Sequence, residues 1–268
     1  MAESAGTVTV DGAAPGVALV TYTTLPIANH LSRQGAEVLA AGLAQARDDG
    51  ARVAVLASGH PDHWIQHAWL PDLLALAAGE PQSADGTAVF DAVKQITRPG
   101  LVTIAAIEGD TAGGGCELGW ACDLRVAGAD ASFGQIEAQL DLTPGLGGAS
   151  RLVRLIGPAA AAAMVFDGRP VSASRVLELG GVNRVVEAGR AVDEAVAWGA
   201  EIAACDADVL TTAKQILRDA ENLSLHDALR NEQALFHTVR DRGTEAMRAA
   251  QARYDAGESP RDVFGGPR

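Results

Sequence analysis

Two glutamates in this 268-residue chain stand where a carboxylate could do chemistry. Glu117 follows three consecutive glycines in "TAGGGCELGWACDL", Thr111 to Leu124, and Glu137 lies among small and apolar neighbours in "SFGQIEAQLDLTPGLGGASRL", Ser132 to Leu152. If a helix begins at the glycines, its first N–H groups have no intrahelical partners and stand at the positive end of the helix dipole, free to bind a negatively charged oxygen. Gly114 and Glu117 are three residues apart, so a main-chain donor and a carboxylate would face one space within the first turn. A carboxyl group in partly apolar surroundings titrates higher than usual and can exchange protons near neutral pH. Two such groups at one site can divide the work, one holding a water and one moving a proton. Plainer alternatives stay open on these residues alone. Glycines also make tight strand-to-helix turns, and an early glutamate also complements the dipole.

To present these groups the chain must build elements that end beside them. Gly16–Tyr22, Arg52–Ser58 and Leu101–Ile107 are nearly continuous apolar runs rich in Val and Ile, a pattern that predicts strands buried on both faces. Ser32 is placed to cap a helix carrying Ala36, Leu39, Leu43 and Ala46 on one side and closing at Asp49-Gly50. Gly79–Gly86 reads as a loop before a second helix through Val93 to Ile96, and "PAAAAAM" is good helix material. Strands separated by helices predict an α/β architecture. From about Gly189 onward only helical periodicity remains. Its clearest case follows Ser224, with Leu225, Ala228, Leu229, Leu235, Phe236 and Val239 on one face. The expected division is a core over residues 1–200 and a helical region over 201–268, with the turn-rich "GESPRDVFGGPR" poorly ordered.

Bulk properties exclude some classes. A net charge of −13 argues against a nucleic-acid partner bound through a broad basic face, but not against an anionic small molecule. The N-terminus lacks the basic-then-apolar pattern of a secretory signal, and no apolar run approaches the ~20 residues that span a bilayer. Three cysteines form an odd set without metal-type spacing and suit a reducing compartment, so a cytoplasmic protein with no membrane partner is expected. "GDTAGGGCE" lacks the G-x-G-x-x-G spacing of a dinucleotide fold, which disfavours a nucleotide-dependent oxidoreductase.

The segment Ile107–Gly157, "IEGDTAGGGCELGWACDLRVAGADASFGQIEAQLDLTPGLGGASRLVRLIG", resembles the crotonase (enoyl-CoA hydratase/isomerase) superfamily almost without gaps. "LPIANHL" (Leu25–Leu31) and "FDGRPVSASRVLELGGVNRVVE" (Phe166–Glu187) extend the resemblance more weakly along the chain. The resemblance implies a spiral of ββα turns with a C-terminal helical trimerisation region, giving a trimer or dimer of trimers. It implies an acyl-CoA thioester substrate, with coenzyme A part of that substrate and no separate cofactor. Two backbone N–H groups would hold the thioester oxygen as an enolate develops, one of them at Gly114. Glu117 and Glu137 match the acidic pair that positions and activates water in the hydratases. The implied reaction is hydration of a 2-enoyl-CoA to a 3-hydroxyacyl-CoA. Isomerase, decarboxylase and hydrolase chemistry share the scaffold, and a non-catalytic acyl-CoA-binding subunit is the competing class.

The second oxyanion donor belongs to a segment usually of the form Phe-Ser-Ala-Gly-Ala-Asp-Leu, which "WIQHAWL" (Trp64–Leu70) matches without gaps. Gln66 falls at the expected donor position, His67 replaces the glycine and Trp69 the aspartate. His67, Trp69 and Gly113 are therefore expected at the substrate, His67 as a substrate contact or extra proton donor and Trp69 bordering an acyl pocket. Trp64 is read as packing or pocket wall. His60, His63 and His67 with Asp62 would permit a metal cluster, but the loop character around Pro61 argues against one, and no metal is assigned. Cys116 is read as a small core residue, Asp123 as the end of a helix. "GLGGAS" (Gly145–Ser150) is read as a tight turn into a helix in preference to a phosphate site.

Overall fold

The computed structural model describes residues 6–24, 28–60, 62–80 and 88–265. The chain divides into two compact units, Met1–Cys205 and Asp206–Arg268. The expected loop over Gly79–Gly86 falls mostly outside the described residues.

The first unit runs β1 (Thr7–Ala14), β2 (Val17–Thr23), β3 (His30–Leu31), α1 (Arg33–Asp48), β4 (Val53–Ser58), β5 (Gln66–Ala68), α2 (Leu70–Ala77), α3 (Ala88–Thr97), β6 (Val102–Ile107), β7 (Asp110–Ala112) and α4 (Gly114–Ala121). It continues with β8 (Leu124–Gly128), β9 (Ser132–Gly134), a 3-10 turn (Glu137–Leu140), α5 (Gly148–Ile156), α6 (Pro158–Asp167), β10 (Val171–Ser172), α7 (Ala173–Glu178), β11 (Arg184–Val186) and α8 (Ala191–Ala203). The main sheet has the order β1-β2-β4-β6-β8-β11, antiparallel only between β1 and β2. A second sheet has the order β10-β9-β7, and β3 pairs with β5 in parallel. The long strands β4, β6 and β8 are each followed by a short strand and then by helix, which is the expected spiral of ββα turns.

The apolar runs form β2, β4 and β6. Alternate residues of the central strands serve two cores: Val53, Val55, Ile104 and Val126 pack on the α8 side with Ala191 and Ala195, while Leu56, Ile107 and Ala127 face Leu39, Leu43, Ile96 and Leu118. Burial on both faces is why these runs show no period-two polarity. β1 escaped the sequence reading because its residues are only half-buried or exposed. β3, β5, β7, β9 and β10 are two or three residues long, too short to show periodicity. Ser32 caps α1 as expected, its Oγ accepting from Gly35 N at 2.9 Å. α8 continues beyond residue 200 to Ala203, burying Ala191, Ala195, Gly199 and Ala203.

The second unit is helical: α9 (Ala207–Ala220), α10 (Leu225–Val239), a 3-10 turn, α11 (Thr244–Asp255) and α12 (Pro260–Phe264). Ser224 caps α10, but along its apolar face Leu225 remains 76% exposed, Leu229 54% and Phe236 52%. The tail departs from expectation. Ser259 and Asp262 form a reciprocal capping box that starts α12, which local turn chemistry had concealed.

Candidate active site

Adjacent strands deliver the two carboxylates. β7 and β9 run parallel with Thr111 opposite Phe133 and Ala112 opposite Gly134, and Gly113 N donates to Gly134 O at 2.8 Å. Glu117 follows β7 on α4, and Glu137 opens the 3-10 turn after β9. Two of the three glycines are demanded by the backbone. Gly113 has φ +47°, and a Cβ on Gly115 would lie 1.7 Å from Ile65 O. Gly114, between them, begins α4 and carries its first N–H, which has no acceptor within the helix.

Glu117 is only 3% exposed. Its Oε1 accepts from Leu146 N and Gly148 N, each at 2.7 Å. Arg151 holds the donating turn through Nη1 to Leu146 O at 2.6 Å. "GLGGAS" is therefore the expected turn into α5, and its N–H groups serve a glutamate of this chain. Burial raises the Glu117 pKa, the two N–H donors oppose the rise, and the charge of Glu137 adds to it. Glu137 is half-buried, and its Oε1 accepts from Gln135 Nε2 at 2.8 Å. Gln135 is fully buried, and its Oε1 accepts from Trp120 Nε1 at 3.2 Å. Glu137 Oε2 is buried without a hydrogen-bond partner. Burial raises this pKa too, against the opposing effects of its own main-chain N–H, Gln135 and His67. Two main-chain donors hold Glu117 Oε1, whereas Gln135 holds Glu137 Oε1 and leaves Oε2 without a partner, so the two carboxyl groups differ in hydrogen-bond support.

β5 forms the facing wall and corrects one expectation. Gln66 N donates to Asn29 O at 3.0 Å and Trp69 N to Leu31 O at 2.9 Å; the ladder shifts register in between. The N–H of Gln66 is consumed in the β3–β5 ladder and cannot also serve a ligand. Its side chain is likewise committed, with Nε2 on Asp110 O at 2.9 Å. Ala68 N instead lies 3.4 Å from the position a Cβ on Gly114 would take.

His67 and Gly113 meet at Glu137. A Cβ on Gly113 would stand 2.9 Å from His67 Cβ and 3.3 Å from Glu137 Oε1. The His67 ring lies 4.4 Å from that of His30, which lies 5.5 Å from Trp69, so Trp69 reaches the group through His30. Trp64 is fully buried packing, with Nε1 on Leu56 O at 3.3 Å. The rings of His60 and His63 are 4.8 Å apart, and among the described residues no group of three His, Cys, Asp or Glu side chains is arranged to hold a metal. Cys116 is buried, donates to Thr111 O at 3.3 Å and has its thiol pKa raised by burial, as a core residue should. α4 ends at Ala121, and the Asp123 carboxylate beyond it accepts from Thr103 N at 2.8 Å.

Sequence reasoning missed Asn29, Gln135 and Ala68. Asn29 is fully buried, accepts from Thr24 N at 2.7 Å and donates to Ser58 Oγ at 2.9 Å, so it fixes the carbonyl that engages Gln66. Gln135 had only its nearness in sequence as a signal, two residues before Glu137. Ala68 had none in its side chain, because what it offers is main chain.

A main-chain N–H at a helix start thus stands near two carboxyl groups of unequal hydrogen-bond support. The family model described as enoyl-CoA hydratase/isomerase matches residues 12–253. The "Probable enoyl-CoA hydratase echA8" of Mycobacterium tuberculosis is 32% identical over 223 residues, covering 83% of this chain and 86% of that protein. The "Short-chain-enoyl-CoA hydratase" of Clostridium acetobutylicum is 34% identical over 151 residues, 56% of this chain and 57% of that one. The crystal structure of an enoyl-CoA hydratase from Bacillus anthracis superposes with TM-score 0.81 at 29% identity, covering 93% of this chain and 96% of that one. The chain belongs to the enoyl-CoA hydratase/isomerase family.

Proposed function

We propose that this enzyme adds water across the double bond of a 2-enoyl-CoA to give a 3-hydroxyacyl-CoA. The thioester oxygen sits between Gly114 N–H and Ala68 N–H. As the water oxygen bonds to C3, the double-bond electrons move onto the thioester oxygen; the enolate takes a proton at C2 from Glu137, and the proton that water loses restores Glu137. Glu117, anchored on two main-chain donors, holds the water as an anion. Glu137 exchanges the proton. The atoms of water and substrate balance the reaction, so no further cofactor is required. The observation that carries this reading is the pair of buried carboxyl groups with unequal hydrogen-bond support, facing two main-chain donors.

The substrate is an acyl-CoA, as the names of the relatives suggest, and the exposed apolar face of α10 suits a trimer or a dimer of trimers. A cytoplasmic setting accords with three free cysteines, two of them buried; among the described residues no helix is long and apolar enough to cross a membrane.

The test is turnover of a panel of 2-enoyl-CoA thioesters in water enriched in heavy oxygen. The reading requires labelled 3-hydroxyacyl-CoA. An unlabelled double-bond isomer, released carbon dioxide or free coenzyme A would replace hydration with another reaction of the family. Binding without any chemical change would support a non-catalytic subunit.

A further inference from the structure

β5 brings a third titratable group to the two carboxylates, one that the hydration scheme does not use. His67 Cβ and Glu137 Oε1 flank the same point beside Gly113, at 2.9 and 3.3 Å from where a Cβ there would stand. His67 Nδ1 lies 2.8 Å from Ala68 O. A carbonyl only accepts, so Nδ1 carries the hydrogen and Nε2 is the nitrogen left free to accept one. We propose that His67 is a positioning residue for Glu137: the imidazole and the carboxyl group share one electrostatic balance, and the charge on His67 sets how readily Glu137 gives and takes its proton. This rests on the site reading above, in which Glu137 is the proton carrier.

Other titratable groups face the pair from β3 and α4. From β3, His30 is held toward its neutral form by burial first and then by the charge of His67, with His63 adding a smaller push. From α4, the Cys116 thiol is kept protonated by burial, and Glu117 is tied to two N–H donors with Arg151 opposing its neutralisation. Gln135 is neutral, and Trp69 contributes an uncharged ring. His67 favours the Glu137 anion while burial opposes it. An ordinary imidazole titrates near about 6.5 and an ordinary glutamate near about 4.3. Burial moves the Glu137 carboxyl up from its ordinary value, and a charge on His67 opposes that rise. Hydration releases no net proton, so the chemistry asks for no relay to solvent. It asks for a carboxyl group of matched basicity.

The test needs no substrate. Histidine resonances of the whole protein are titrated by NMR in wild type and Glu137→Gln, with the His67 signal assigned through its loss in His67→Gln. An anion beside an imidazole favours its proton, so His67 should bind its proton about threefold more weakly in Glu137→Gln, roughly half a pH unit, while His226 and His237 on α10 stay in place. Reciprocally, the limb of the kcat/KM profile that titrates Glu137 should move to higher pH in His67→Gln and not in Trp69→Phe. An unmoved His67 titration overturns the proposal whether or not the protein hydrates enoyl-CoA. A moved titration in a protein without hydratase turnover sustains the coupling and overturns the hydration reading instead.

Discussion

Two segments flank Gly114, and they differ in what fixes them. From Gly113 to Glu117 the fold constrains residue type: a positive φ at Gly113, a carbonyl against Gly115, and a carboxylate whose oxygen receives two N–H groups. From Gln66 to Trp69 the ladder constrains only the main chain, through the bonds of Gln66 N to Asn29 O and Trp69 N to Leu31 O. The first segment therefore advertises its chemistry in side chains. The second can carry His67 and Trp69 and still bring Ala68 N within 3.4 Å of the position a Cβ on Gly114 would take.

The sharpest way to break this contrast is to replace single amides of β5 by esters. At Ala68 the loss of an oxyanion donor should lower kcat by about 10²- to 10³-fold with the fold intact. At Gln66 the same change should leave kcat within a few-fold and cost about 1 kcal/mol of stability, the worth of one ladder bond. A large catalytic loss at Gln66 and none at Ala68 would reverse the assignment.

Substitutions of side chains should divide the same way in thermal melts. Gly115→Ala forces a Cβ onto Ile65 O and should destabilise by roughly 1–3 kcal/mol or more. His67→Gln, on a partly exposed residue of the facing strand, should stay within about 0.5 kcal/mol of wild type. Equal effects would show that both segments constrain residue type alike.

The smallest expected effect concerns pH. Burial raises the Glu117 pKa in the folded protein, so the stability this group contributes is full below the ordinary glutamate value of about 4.3 and is lost as pH rises through the raised folded value. Glu117→Gln keeps an oxygen to accept from Leu146 and Gly148 but cannot ionise. Its Tm should therefore gain on wild type as pH rises through that window. A Tm difference that shrinks with rising pH would contradict the assigned direction.

The same contrast explains how much of the molecule was legible. The strands β2, β4 and β6, the Ser32 and Ser224 caps and the glycine-to-glutamate turn follow from residue types whose physics is local. Gln66 was misassigned because a backbone donor is chosen by ladder register, and the ladder partner of its N–H is the carbonyl of Asn29, distant in chain from β5. Gln135 was missed although it stands two residues from Glu137, because its support from Trp120 comes from across the fold. α12 was hidden because Ser259 and Asp262 act as a pair, and composition alone reads them as a turn.

The central claim is that Glu137 carries the proton while two main-chain donors hold the thioester oxygen. Its most direct test is crotonyl-CoA hydration by wild type and Glu137→Gln, with ligand affinity measured alongside. The account predicts that kcat falls by about 10²- to 10⁴-fold while Kd stays within a few-fold. Turnover unchanged in the variant would contradict it.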